Sequence, residues 1–253
     1  MAETFYGSSD ASRASWLGRA VAAARGTAEP SASRTALAIG GLLAALVAAT
    51  FVLIVLAGYT AKSLHVVPAC MAAPEAKCAN ADLRHWIAPK AELAGADLSG
   101  ADLAHAYLPG ANLRGANLSG ADLRYVVLDG ADLSGAKLDG AMLSSANLQE
   151  AALVGASLKG ALAERVSATT ADFQNADLTG ADFSRADLTG ADLENTTWEK
   201  ANLARADLSL ANAKKANFED ADLTGATWQG TLLGLAEWSD KRVCVEGSIG
   251  QCR

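Results

Sequence analysis

The sequence predicts a solenoid, a narrow tube of short stacked units, and three observations carry that reading. A five-residue phrase runs through residues 91–233 with no insertion or deletion, plainest at Ala96-Asp97-Leu98-Ser99-Gly100 and Ala186-Asp187-Leu188-Thr189-Gly190. Two positions of each pentad are apolar, one tiny and one large. The last position is often glycine.

Taking the large residue as the centre, 29 pentads follow one another. The first position is Ala in 25 of them, the exceptions being Val126, Val166, Thr196 and Thr231. The centre is Leu in 21, Phe at Phe173, Phe183 and Phe218, Trp at Trp198 and Trp228, and Ala at Ala163, Ala168 and Ala213. A period of five fits neither a straight helix near 3.6 nor a strand of period two. Kept over more than a hundred residues, it indicates units that bury their apolar side only by stacking on neighbours. The large residue fills the axis and the small one lets the wall close in. Glycine at the fifth position supplies backbone freedom for a corner. Asp or Asn takes 17 of the 29 second positions, as expected of a polar, turn-tolerant outer wall. On that reading Asp122→Ala is nearly free, whereas Leu123→Asp places an unpaired carboxylate on the axis.

The phrase A(D/N)LxG resembles that of the pentapeptide-repeat family, and the match covers residues 91–233. The resemblance implies an all-β fold, a right-handed quadrilateral β-helix with four pentads per coil. Residues twenty apart then lie above one another. Twenty-nine pentads make about seven coils, roughly 35 Å of rod at ~4.8 Å per stacked strand.

Ahead of the repeats the composition changes. Residues 1–34 are rich in Ala, Ser and Arg and read as a cytoplasmic tail, with 15–27 able to form a short amphipathic helix. Residues 35–61 carry no charge and exceed the ~20 residues needed to cross a bilayer. They read as an uncleaved transmembrane anchor. A cleaved signal peptide is the rival, disfavoured by the long preceding segment and the length of the apolar run. Arg19, Arg25 and Arg34 before the run outnumber Lys62 and Lys77 after it, a positive-inside bias. Residues 62–90 read as linker and N-terminal cap, with Trp86-Ile87-Ala88-Pro89 breaking the register. Residues 234–253 read as a C-terminal cap, in which Leu235 and Trp238 cover the last coil.

Four cysteines form two equally spaced pairs, Cys70/Cys78 and Cys244/Cys252, flanking the repeats. Pairing between rod ends would exceed the ~6 Å Cα separation a disulfide permits. Two local disulfides fit an oxidising compartment. With the charge bias, they place the protein in a bacterial inner membrane as a single-pass protein, its C-terminal domain periplasmic or otherwise extracytoplasmic.

Chemistry is sparse. Phosphate loop, nucleophile elbow and metal constellation are all missing from the sequence, so the expectation is no enzyme, no cofactor and no small-molecule substrate. His65, His85 and His105 are spaced twenty apart, but with only His105 expected in regular coils they read as scattered surface residues. Residues 1–78 carry six Lys/Arg against four Asp/Glu, or +2, and residues 79–253 carry 15 against 24, or −9. An acidic rod disfavours nucleic acid, which wants a basic face.

The expected function is a non-enzymatic, membrane-anchored binding or scaffolding module. Its partner is a membrane or periplasmic protein, or a second copy. The alternative is a topoisomerase-protecting DNA mimic, as some cytosolic relatives in the family are. The outward positions that depart from the repeat are the candidates for contact. Tyr107, Tyr125, Val127, Met142 and Leu162 are large and apolar, with Tyr107 expected beside Val127 and Met142 beside Leu162. Arg165, Arg185 and Arg205 are expected to stack as a column, read as an ion-pair network with Asp182, Asp187 and Asp207. Lys200 is expected to pair with Asp220.

Overall fold

A computed structural model describes residues 76–253. The expected tail (1–34), anchor (35–61) and residues 62–75 of the expected linker and cap, Cys70 among them, lie outside the described residues. Among the described residues no helix is long and apolar enough to cross a membrane.

Every pentad contributes one parallel bridge to the residue twenty further on, from Lys77↔Asp97 to Asn217↔Glu237. Each closes with a turn in which the next alanine N–H donates to the centre carbonyl, as Ala101 does to Leu98 at 3.0 Å. The fifth residue of the pentad takes φ between +54° and +73° in every pentad from Asn80 to Leu235. That is the type II turn, which requires positive φ at its third residue. Four turns and four short bridges make one square coil.

The main-chain amides are fully accounted for in the regular pentads, taking Ala96–Gly100 as the example. Ala96 donates to Leu93 in the turn, and Asp97 donates one coil back to Ala76. Leu98 and Gly100 donate one coil forward to Asn117 and Ser119. The Ser99 amide has no backbone acceptor and donates instead to Asp97 Oδ1 at 3.2 Å. Sixteen of the 17 Asp/Asn second positions do the same for the residue two ahead. Turn tolerance is therefore the smaller reason for Asp and Asn here. Their side-chain oxygen completes the amide inventory of the coil.

The exception is Asn212, whose amide group donates to Asp192 Oδ1 (3.1 Å) and Glu194 Oε2 (3.4 Å). Its Oδ1 is the one buried side-chain polar atom without a partner among the described residues.

The coils run further than expected at both ends. The 165 residues from 76 to 240 make 33 pentads, or eight coils and one further face. Trp86-Ile87-Ala88-Pro89 does not break the register. Ile87 bridges Tyr107, and Pro89 occupies the second residue of the turn Ala88–Ala91, where type II turns favour proline. Cys78 is a buried centre residue of the first coil and not part of a separate cap. At the other end Glu237 bridges Asn217, and Trp238 occupies a centre position against Phe218 and Trp228. Leu235 is an exposed corner residue and covers nothing.

The tail 241–253 turns back antiparallel, with bridges Glu237↔Val243 and Leu232↔Ile249. Cys244 and Cys252 lie side by side there, their Cα atoms 4.8 Å apart. The tail thus pairs with an edge that the last coil would otherwise expose.

Alanines and leucines fill the axis through the lower coils, and aromatics enter above them. Phe173, Phe183, Trp198 and Phe218 form a chain of ring contacts at 5.1–6.4 Å. Small centres offset them: Ala163 lies one coil below Phe183, and Ala213 shares a coil with Phe218. Thr196, at a position otherwise held by Ala, accepts the Trp198 indole N–H at 2.9 Å and donates to the Leu193 carbonyl at 2.7 Å.

Candidate functional site

The regular wall presents short polar side chains on four faces, so a contact site has to be built from departures. The five apolar candidates meet at one corner of the square. On one adjoining face, Tyr107 bridges Val127 and, below it, Ile87. On the other, Met142 bridges Leu162. Tyr125 stands at the corner, beside Val127 and Asp122 and one coil below Met142. Ile87, Tyr107, Tyr125 and Leu162 are about half exposed, at 49%, 46%, 54% and 50%. Val127 and Met142 are half-buried.

Ile87 was missed from the sequence because Trp86 and Pro89 made its pentad look irregular. Its spacing of twenty from Tyr107 was the available signal.

The same corner carries an aromatic stack. The His85 and His105 rings are 5.1 Å apart and 15° from parallel, and the His105 and Tyr125 rings are 4.8 Å apart and 6° from parallel. His85 is thus in a regular coil, and two of the three histidines form part of one column instead of being scattered. His65 lies outside the described residues.

Above them on this corner come Ser145, Arg165, Arg185 and Arg205, in register. The Arg column exists, with different partners from those expected. Glu164 Oε1 approaches Arg185 at 3.2 Å and Arg165 at 3.7 Å. Asp182, Asp187 and Asp207 instead accept the amides of Ser184, Thr189 and Ser209. Arg205 pairs with no carboxylate among the described residues, and its stem lies over Gly225. Lys200 pairs with Glu199 where Asp220 was expected.

Elsewhere the wall is an ion-pair and hydrogen-bond surface. Asp122 departs from it, being buried and held by Arg124 through a bidentate pair, Nε–Oδ1 2.8 Å and Nη2–Oδ2 2.5 Å. Those Arg124 hydrogen bonds hold the Asp122 carboxyl below its ordinary range against the opposing effect of burial. At Asp82 the exposed Arg84 guanidinium does likewise, to about 2. An open polar depression is lined by Gln174, Asn175, Glu194, Asn195 and Lys215, with Lys215 Nζ on Glu194 at 2.9 Å. No group of His, Cys, Asp or Glu among the described residues is placed to hold a metal ion.

The repeat geometry has its counterpart in a family profile described as pentapeptide repeats, matched in eight copies over residues 76–115, 116–152, 146–185 and 186–225. The chain belongs to the pentapeptide-repeat family. Such proteins fold as right-handed quadrilateral β-helices, which is the four-sided coil described above.

Solved pentapeptide-repeat structures are similar to part of this chain. HetL of the cyanobacterium Nostoc, involved in heterocyst differentiation regulation, is 28% identical over 66% of this chain and 92% of its own, with a TM-score of 0.35. A protein of the Arabidopsis thaliana thylakoid lumen is 36% identical over 39% of this chain and 66% of its own, with a TM-score of 0.30. A trypsin-treated variant of QnrB1, a plasmid-mediated fluoroquinolone resistance protein, is 22% identical over 59% and 86%, with a TM-score of 0.39. No curated protein sequence matches the chain.

Proposed function

We infer that this pentapeptide-repeat protein is a non-enzymatic, membrane-anchored module that presents its rod to a protein partner outside the cytoplasm. The observation that carries the reading is the cluster of apolar side chains Ile87, Tyr107, Tyr125, Val127, Met142 and Leu162, gathered at one corner of the coils, whereas the exposed Leu210 and Leu235 stand singly on other corners. Clustered apolar surface of this kind marks contact sites. The coil interior is filled by side chains, and a substrate pocket of the usual concave, apolar type has no counterpart in the open polar depression.

The anchored, extracytoplasmic placement is supported by the uncharged run 35–61, the Arg bias before it, and the adjacent Cys244 and Cys252.

The test is a triple variant, Tyr107→Asp, Val127→Asn and Met142→Asn, which restores the polar second position of the repeat at each site. Cross-linking in the native membrane should capture the parent's partner at sharply reduced yield. Equal yield from the folded variant contradicts the assignment of the surface.

The second reading, a topoisomerase-protecting DNA mimic, draws on the net −9 of residues 79–253. Much of that charge has a local reason, because the second-position carboxylates accept main-chain amides.

A further inference from the structure

The fifth pentad position holds φ near +60°, where glycine is unstrained and a side chain is not. Three corners of the rod use that freedom about half the time, with 13 glycines against 11 other residues. The fourth corner does not. In seven successive coils it carries His85, His105, Tyr125, Ser145, Arg165, Arg185 and Arg205, with φ of 56–60° over the first four and 58–62° over the arginines, and reaches glycine only at Gly225. Local strain kept in seven successive coils along one edge, where the other three edges hold 13 glycines, points to side chains retained for contact. Crowding does not dictate glycine at the other corners, since a Cβ at Gly115, Gly135 or Gly155 would meet nothing, which leaves the positive φ as the reason for glycine there.

The chemistry along this edge is graded. Its first three coils stack aromatic rings beside the apolar column Ile87–Tyr107–Val127, with Asp82, Asp102 and Asp122 on the other flank. The Met142–Leu162 column follows in the next two coils beside Ser145 and Arg165. Its fifth to seventh coils present three guanidinium groups. Glu164 reaches Arg165 and Arg185, Arg205 has no carboxylate partner among the described residues, and the flanking Asp182, Asp187 and Asp207 are engaged by main-chain amides. The exposed Leu210 and Leu235 stand singly on other corners and extend neither pattern.

We propose that this corner is a docking edge for an extended acidic segment of a partner protein, its apolar end on the aromatic coils and its carboxylates on Arg165, Arg185 and Arg205. Charge complementarity selects the occupant: the guanidinium fork matches carboxylates bidentately, and Arg205 has no carboxylate of its own. Six coil spacings of ~4.8 Å make an edge of about 29 Å, the length of an extended strand of about nine residues. The proposal rests on the reading of the rod as a protein-binding module.

The test uses the purified full-length protein in detergent and a fluorescent nine-residue peptide with Leu-Tyr at one end and Glu through the remainder. The parent should bind it with an affinity that falls steeply with salt. Arg165→Gln, Arg185→Gln and Arg205→Gln together should weaken binding at least tenfold. Replacing all seven corner residues by Gly should abolish binding while raising the melting temperature, which separates lost contact from lost folding. Unchanged binding by either folded variant overturns the proposal. So does equal binding of the probe with Gln for Glu, or competition by self-association or anionic lipid vesicles in place of the peptide. Failure here leaves the membrane placement standing, and a misplaced membrane topology leaves this assay unaffected.

Discussion

Asp122 shows how much a single second-position side chain does. It accepts from the Arg124 main-chain N–H, Nε and Nη2 while lying buried between coils. Asp122→Ala removes a buried acceptor from three donors, two of them on the charged guanidinium, and should cost about 1.5–3 kcal/mol in chemical denaturation. Leu123→Asp should still cost more, because nothing on the axis compensates a carboxylate. The contribution of Asp122 is pH-dependent in a definite sense. Its folded carboxyl titrates below the unfolded value near ~3.9, so its stabilisation is complete above that pH and is lost as pH falls through the lowered folded value. The melting-temperature gap between parent and Asp122→Asn should therefore narrow between pH 5 and pH 2, and a constant gap would contradict it. Thr196 makes a similar argument inside the tube. Thr196→Val keeps the shape, orphans the Trp198 indole N–H, and should cost about 1–3 kcal/mol.

The coil is the element of this protein, and its axis is filled by complementary sizes. Ala163 lies directly below Phe183 and is completely buried. Ala163→Leu should destabilise by about 1–3 kcal/mol through overpacking. Adding Phe183→Leu should recover part of that loss, and strict additivity in the double-mutant cycle would refute the size pairing. This complementarity was only half legible in the sequence. The period, the inward Ala and Leu and the corner glycines could all be read because each follows from one residue type at one position. The coil boundaries could not, because Trp86, Pro89 and Cys78 substitute for the consensus while keeping its geometry. Partners of long side chains were equally hidden. Glu164, at a fourth position with no consensus, reaches the Arg column while the regular aspartates turn to main-chain amides. The apolar corner was largely visible as departures from the repeat. Its stacked histidine column was dismissed because His85 was assigned outside the coils.

At the scale of the whole molecule, an open β-helix would end in unpaired strand edges, and the tail 241–253 answers this at the C-terminal end with antiparallel pairing to Leu232 and Glu237. Truncation after Asp240 should convert the purified protein to concentration-dependent oligomers in light scattering, because the freed edge can accept another strand. A monomer at all concentrations would show that the tail is not what closes the rod. The central claim is that this rod works outside the cytoplasm on a membrane anchor, and its most direct test is topology. A reporter active only in the cytoplasm, fused after Arg253 of the full chain, should be silent, while one active only outside should give full signal. Strong cytoplasmic activity would contradict the account and favour the topoisomerase-protecting reading in its place.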